Sequence, residues 1–211
     1  MSRLLLPYGP DAVLVQCADL TEVMALSRAL RERYGDQLAE IVPAAQTVLV
    51  RGDLRPEITR WLRDAAAEPT QGATGAVVDL DVRYDGADLA NVAEHTGLSV
   101  AEVIATHTGQ QWTVAFCGFS PGFGYLVGED DALQVARRDS PRPRVPAGAV
   151  ALADRFCGVY PRETPSGWQL IGRTDAVLWR ATTGPDGSAG PDADRPALLA
   201  PGDRVRFRRI G

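Results

Sequence analysis

Gly118-Phe119-Ser120-Pro121-Gly122 matches G-x-S-x-G, the spacing of a nucleophile elbow. In a serine hydrolase that elbow would expose the Ser120 hydroxyl for attack on an acyl carbon. Three features count against this chemistry. The residue after the nucleophile lends its backbone N–H to the oxyanion, and Pro121 has none. A helix should follow, whereas Phe123 to Val127 reads as a strand. The base should come later in the chain, yet His95 and His107 are the only histidines and both precede Ser120. What the stretch does specify is a type II turn. Proline fixes φ at its second position and Gly122 supplies φ > 0 at its third. Phe119, Phe123 and Tyr125 flank the turn, so the rings wall a pocket or plug the end of a barrel.

His107 is the other group with chemical potential. It falls in the last turn of a predicted helix, on the apolar face made by Val100, Val103 and Ile104. Two readings fit. One is a packed histidine interacting with the helix C-terminus. The other is an acid, base or orienting imidazole aimed at the 119–125 turn. His95 lies off its helix's apolar face and reads as solvated. The run Arg137-Arg138-Asp139-Ser140-Pro141-Arg142-Pro143-Arg144-Val145-Pro146 is too rich in proline for a central strand. It reads as a stiff loop whose arginines either face solvent or present forks to a carboxylate or phosphate.

Composition narrows the chemistry further. All 22 basic residues are arginine. With no lysine there is no Schiff base, no biotinyl-lysine and no Walker A lysine. The net charge of −5 suggests no nucleic-acid footprint. No apolar run approaches the length of a membrane span. The N-terminus lacks the apolar core of a signal peptide. Cys17, Cys117 and Cys157 are odd in number and far apart, so they suit buried thiols in a reducing cytoplasm rather than disulfides or zinc. No metal-ligand cluster appears.

The elements that must position these groups follow from periodicity. Ala12 to Val15 reads as a buried strand. Asp19 caps a helix whose apolar face is Val23, Leu26, Leu30 and Tyr34. Two short strands follow, then a helix opening at Pro56, a loop over 68–75, and a strand over 76–84. That βαββαβ order is ferredoxin-like. Asp88 is expected to cap a short helix, and Ser99-Val100-Ala101-Glu102 forms a capping box for the next. From Trp112 onward short strands separated by Pro and Gly suggest a β-barrel or sandwich: 112–118, 123–127, 148–153, 158–161, 168–174 and 203–209. Residues 182–196 read as a mobile surface loop. In the last strand Val205 and Phe207 face the core, and Arg204, Arg206 and Arg208 face out.

Several motifs in the second half, taken in order, carry a resemblance. They are Gly118 to Leu126, Pro141 to Val150, Gly158-Val-Tyr-Pro161, Ser166 to Thr174 and Leu199 to Phe207. Together they resemble the allophanate hydrolase subunit 1 family, the carboxyltransferase subdomain C and D proteins. That family includes PxpB, the B subunit of bacterial 5-oxoprolinase, and KipI, an inhibitor of a sporulation histidine kinase. The resemblance implies an α+β chain: an N-terminal ferredoxin-like α/β domain at 1–85 and a cyclophilin-like β-barrel at 86–211. It implies a non-autonomous cytoplasmic subunit of an ATP-dependent 5-oxoprolinase, which opens 5-oxoproline to glutamate. Companion subunits resembling PxpC and PxpA would complete the enzyme. The complex would use ATP without this chain binding it alone, and no metal is implied. The alternatives are a KipI-like kinase inhibitor and a carboxyltransferase-like subunit acting on urea or allophanate.

By motif matching, the resemblance makes His107 and Arg173 catalytic. It makes Phe119, Ser120, Gly122, Phe123, Tyr125, Arg144, Pro146, Gly148, Tyr160, Gly167 and Trp168 substrate-binding. The aromatics would form an apolar wall, and the arginines would hold a carboxylate or phosphorylated intermediate. The chain departs from the family pattern at Phe156 and Cys157, where Gln and Thr are usual, and at Ser166, where Gly is usual.

Overall fold

Alternation of small apolar and charged residues decides which strands pair, and it divides the chain differently from its local order. The computed structural model describes residues 2–65, 75–180 and 196–211. The loops expected at 68–75 and 182–196 lie almost wholly outside those residues. Two units are resolved, Met1–Gly72 and Ala73–Gly211.

The first unit contains β1 (Leu5–Pro7), β2 (Ala12–Gln16), α1 (Leu20–Tyr34), β3 (Leu38–Pro43), β4 (Thr47–Gly52) and α2 (Pro56–Asp64). Asp19 caps α1 as expected, its carboxylate accepting from the Glu22 N–H at 2.9 Å. Val23, Leu26 and Leu30 of α1 and Val48 and Val50 of β4 are fully buried. The sheet order is β1-β2-β4-β3, antiparallel throughout.

The strand expected to complete this sheet does not belong to it. Beside β2 lies β1, whose Pro7 is tolerated at a sheet edge. The strand over 76–84 is instead β5 (Val77–Val82), in the second unit, parallel to the final strand. The expected boundary at 85 therefore moves upstream of β5. Both faces of the pair match. Asp79 and Asp81 stand opposite Arg206 and Arg208 in register and hydrogen-bond them at 2.8 Å, while Leu80 and Val82 turn into the core beside Val205 and Phe207.

The second unit continues with α3 (Leu89–Thr96), α4 (Val100–Gly109), β6 (Trp112–Cys117), β7 (Gly124–Val127), β8 (Arg142–Val145), β9 (Ala149–Ala153), β10 (Phe156–Val159), β11 (Thr164–Ser166), β12 (Gln169–Arg173) and β13 (Arg204–Arg209). Seven strands form one sheet in the order β12-β9-β10-β7-β6-β13-β5. Arg83, just past β5, exchanges two backbone hydrogen bonds of 2.9 Å with Arg173 at the far edge. The sheet is thus a nearly closed barrel, and the chain is α+β. The capping box at Ser99 and Glu102 forms as predicted. Arg142–Val145, expected as loop, is a strand, but in a separate pair with β11, where Pro143 removes no central ladder bond.

At β9 the wall of this barrel is buried on both faces. All five residues of β9 are buried. Val150 and Leu152 join the interior core with Val92, Val103 and Ile104 from α3 and α4. Ala149, Ala151 and Ala153 point the other way, into a second core outside the sheet. Their small side chains leave room there for large rings.

Candidate functional site

The 118–123 turn forms as its residues require. The Ser120 carbonyl accepts from the Phe123 N–H at 3.0 Å, and Gly122 has φ 83. A second, tighter turn precedes it. The Ser120 N–H reaches the Gly118 carbonyl at 2.8 Å across Phe119, whose φ is 69. This is the rare, strained form of γ-turn. It holds the Phe119 ring 59% exposed, between the second core and an apolar groove of about 590 Å³. A side chain at Gly122 would meet the Trp179 Cβ at 2.8 Å. Ser120 lines this groove, and its Oγ is buried with no hydrogen-bond partner among the described residues.

Behind Phe119 the rings meet edge to face. Phe123 is the hub, with ring centroids at 5.4 Å to Phe119, 5.0 Å to Tyr125, 5.2 Å to Tyr160 and 5.6 Å to Trp168. Such pairs contribute about 0.5–1.5 kcal/mol each beyond their burial. A bulge between Val114 and Phe116 puts Phe116 opposite Tyr125, so the two rings stack at 4.4 Å. Phe156 closes the edge of that stack. Gly158 is required here, because a Cβ would come within 2.6 Å of Phe123. Two hydroxyls enter the layer: Tyr160 Oη lies 2.5 Å from Ser166 Oγ, which also accepts from the Trp168 N–H at 3.2 Å. Gly148, with φ 79, supports Tyr160 from below by donating its N–H to the Tyr160 carbonyl at 2.7 Å.

Five predicted rings therefore converge: Phe119, Phe123, Tyr125, Tyr160 and Trp168. Ser120, Gly122 and Gly148 shape the same region. Sequence reasoning left Phe116 out of the site and named Phe156 and Ser166 only as departures from the family pattern. The bulge that turns Phe116 outward has no local signal, whereas the alternation Phe156, Cys157, Gly158 against Trp168 could have placed Phe156.

His107 is not part of this constellation. Its ring is fully buried inside the barrel, against Trp112 and Phe207, at centroid distances of 5.0 and 4.4 Å. Nδ1 lies 2.7 Å from Tyr84 Oη and Nε2 lies 3.3 Å from Cys157 Sγ. Cys157 and Gly158 are neighbours on β10 and face opposite sides, so the barrel wall stands between His107 and the rings. Burial holds the imidazole neutral, with a pKa pushed down to about 3, and drives the Cys157 thiol well up. The packed reading fits, and the one aimed at the turn does not.

The arginines also separate. Asp88 is 3% exposed and spends its carboxylate on Arg138 Nη1, on both Nη atoms of Arg142 and on the Leu170 N–H, all at 2.7 Å. It makes no side-chain cap to α3, contrary to expectation, because the arginines have claimed it. Burial would raise its pKa, but the Arg142 bond, the Leu170 N–H and the two guanidinium charges outweigh that and hold it below the usual range. Arg144 is 81% exposed, 3.9 Å from Glu163. Arg173 is 60% exposed and paired with Asp85 at 2.9 Å. Pro146 is exposed, and the Gly167 carbonyl accepts from the Arg138 N–H at 2.8 Å. Among the described residues no cluster of His, Cys, Asp or Glu is placed to hold a metal. No described helix is long and apolar enough to cross a membrane.

The chain belongs to the family described as carboxyltransferase domain, subdomain C and D, whose model it matches over residues 3–187. It is 38% identical over 182 residues to the 5-oxoprolinase B subunit of Escherichia coli O157:H7, covering 81% of this chain and 77% of that one. It is 42% identical over 137 residues to the 5-oxoprolinase B subunit of Bacillus subtilis (strain 168), covering 64% of this chain and 53% of that one. The crystal structure of TTHA0988 superposes with a TM-score of 0.73 at 32% identity, covering 96% of this chain and 40% of that chain.

Proposed function

We propose that this chain is the B subunit of a 5-oxoprolinase, acting in an ATP-dependent complex that opens 5-oxoproline to glutamate. The observation that carries the reading is the 38% identity to the Escherichia coli B subunit across 77% of its length. The side chains support a division of labour. Among the described residues Ser120 Oγ has no hydrogen-bond partner, Cys157 is buried with its thiol pKa raised, and His107 is sealed and neutral. None of these attacks a lactam. What the chain offers is an apolar groove beside the exposed Phe119 ring and Trp179, backed by a buried layer of rings, for a small flat substrate. It has no lysine and no P-loop, so its residues do not suit ATP binding of that kind. Phosphate chemistry belongs to the companion subunits, which resemble PxpC and PxpA, in the cytoplasm.

The test is glutamate release from 5-oxoproline and ATP by the assembled complex, with each subunit omitted in turn. Turnover that needs this chain and falls with Phe119→Ala supports the reading. An assembled complex that releases no glutamate overturns it and redirects attention to histidine-kinase binding and urea-like substrates.

A further inference from the structure

Strand alternation gives the first sheet two faces. On one, Val13, Val15, Val48 and Val50 are buried with Val23, Leu26 and Leu30 of α1. The other face of such an antiparallel sheet normally carries polar side chains into water. Here the register sets Leu6 beside Leu14, Leu14 beside Leu49 and Leu49 beside Val42, one apolar row across all four strands. Leu6 and Val42 are exposed, and Leu14 and Leu49 are partly so. Leu4 and Tyr8, two residues to either side of Leu6, extend the patch at 55% and 60% exposure. These six side chains leave on the order of 400 Å² of apolar surface open, enough to mark an interaction site. A standard interface needs about 800 Å² a side, so the rows beside this one must contribute.

Those rows point to the occupant. One runs Tyr8, Ala12, Arg51, Glu40, and the other Leu4, Gln16, Thr47, Ala44. A twofold axis along the strands, between β2 and β4, lays β1 of one copy over β3 of another and β2 over β4. Leu14 then meets Leu49, and Leu6 meets Val42. In the flanking rows large falls on small and donor on acceptor: Leu4 on Ala44, Arg51 on Ala12, Gln16 on Thr47, and the Tyr8 hydroxyl on the Glu40 carboxylate. Arg51 is already paired within its own copy, with Asp11 at 2.9 Å and Glu40 at 3.7 Å, so the contact buries no lone cation. Every pairing occurs twice, as an isologous interface requires. Aligned packing of two twisted sheets, about 30° apart, accommodates it.

We propose that the open face of the β1-β2-β4-β3 sheet is a dimer interface, and that its occupant is the same face of a second copy of this chain. The pairing is independent of the 5-oxoprolinase reading.

Sedimentation equilibrium of the full chain tests it. A dimer of the 22.6 kDa chain is expected. Interfaces of this size bind with Kd in the μM range or tighter, so a monomer at every concentration up to about 200 μM overturns the proposal. Leu6→Glu and Val42→Lys, each alone, should weaken the dimer about tenfold or more, by burying an unpaired charge. Val100→Glu, at an exposed position of α4, should leave it unchanged. The double variant Leu6→Glu/Val42→Lys separates this arrangement from others. Within one copy the two positions lie three strand spacings apart, about 14 Å. Across the twofold they face each other, so the double variant should regain most of the affinity that either single change removes. No recovery overturns the twofold pairing, and a dimer indifferent to Leu6→Glu overturns the face. A chain that is monomeric alone, and loses capture by its companion subunits in Leu6→Glu, overturns the second copy as occupant and assigns the face to a companion subunit.

Discussion

Replacing Asp88 by Asn should cost more stability than any surface change. Asp88 receives four hydrogen bonds from three residues while 3% exposed. Asparagine keeps one oxygen and turns an amide against guanidinium donors, so it cannot serve all four. Breaking a buried ion pair costs about 3–5 kcal/mol. The low end, about 3 kcal/mol, applies because the Arg138 and Arg142 side chains retain 32% and 22% exposure and can turn to water. For a chain of this size that lowers Tm by about 6–12 °C. Urea unfolding followed by tryptophan fluorescence measures it. The pH dependence has a definite sign. The folded pKa of Asp88 is depressed, so its stabilisation is present above the unfolded value, about 3.9, and lost as pH falls through the folded one. The gap between Asp88→Asn and the unsubstituted protein should therefore be wide at pH 7 and narrow below about pH 4. A loss under about 1 kcal/mol at pH 7, or a gap that does not change with pH, refutes the reasoning.

Three other substitutions or titrations probe the two cores. Gly158→Ala drives a methyl into Phe123, which four rings hem in, and should cost about 1–3 kcal/mol by the same unfolding assay; a neutral result would mean the ring layer is loosely packed. Phe119→Gly removes an exposed ring and relieves a positive φ, so stability should hold or rise by up to about 1 kcal/mol while substrate KM increases. A loss of about 2 kcal/mol would contradict the strain. The His107 imidazole should stay neutral in the folded protein until about pH 3, as read by nitrogen-15 shifts. Because the unfolded chain takes up that proton first, stability should decline as pH falls below about 6.5. A folded-state titration near that value would show that water reaches the ring.

Local order was legible wherever a few neighbouring residues decide it. The Asp19 cap, the Ser99 box and the Pro121-Gly122 turn each depend on residues within three positions, and each formed. Strand membership was not local. The strand over 77–82 follows α2 and looks like the last strand of the first sheet. What recruits it to the barrel is the shared burial of Leu80, Val82, Val205 and Phe207, with Asp79 and Asp81 matched in register to Arg206 and Arg208, 127 positions away. The small β1 then occupies the vacant edge, a role three residues ending in proline do not advertise.

The same limit governs the site. Aromatic rings announce themselves, because a turn bearing Phe119, Phe123 and Tyr125 must bury or present them in some form. Arginines do not. Arg137, Arg138, Arg142 and Arg144 are equivalent in composition, and each offers the same fork. Their roles diverge through one carboxylate that lies 50 residues upstream of Arg138 and 54 upstream of Arg142. By taking those two and the Leu170 N–H, Asp88 ties the 138–142 segment to β12, while Arg137 and Arg144 are left beside the exposed carboxylates of Asp154 and Glu163.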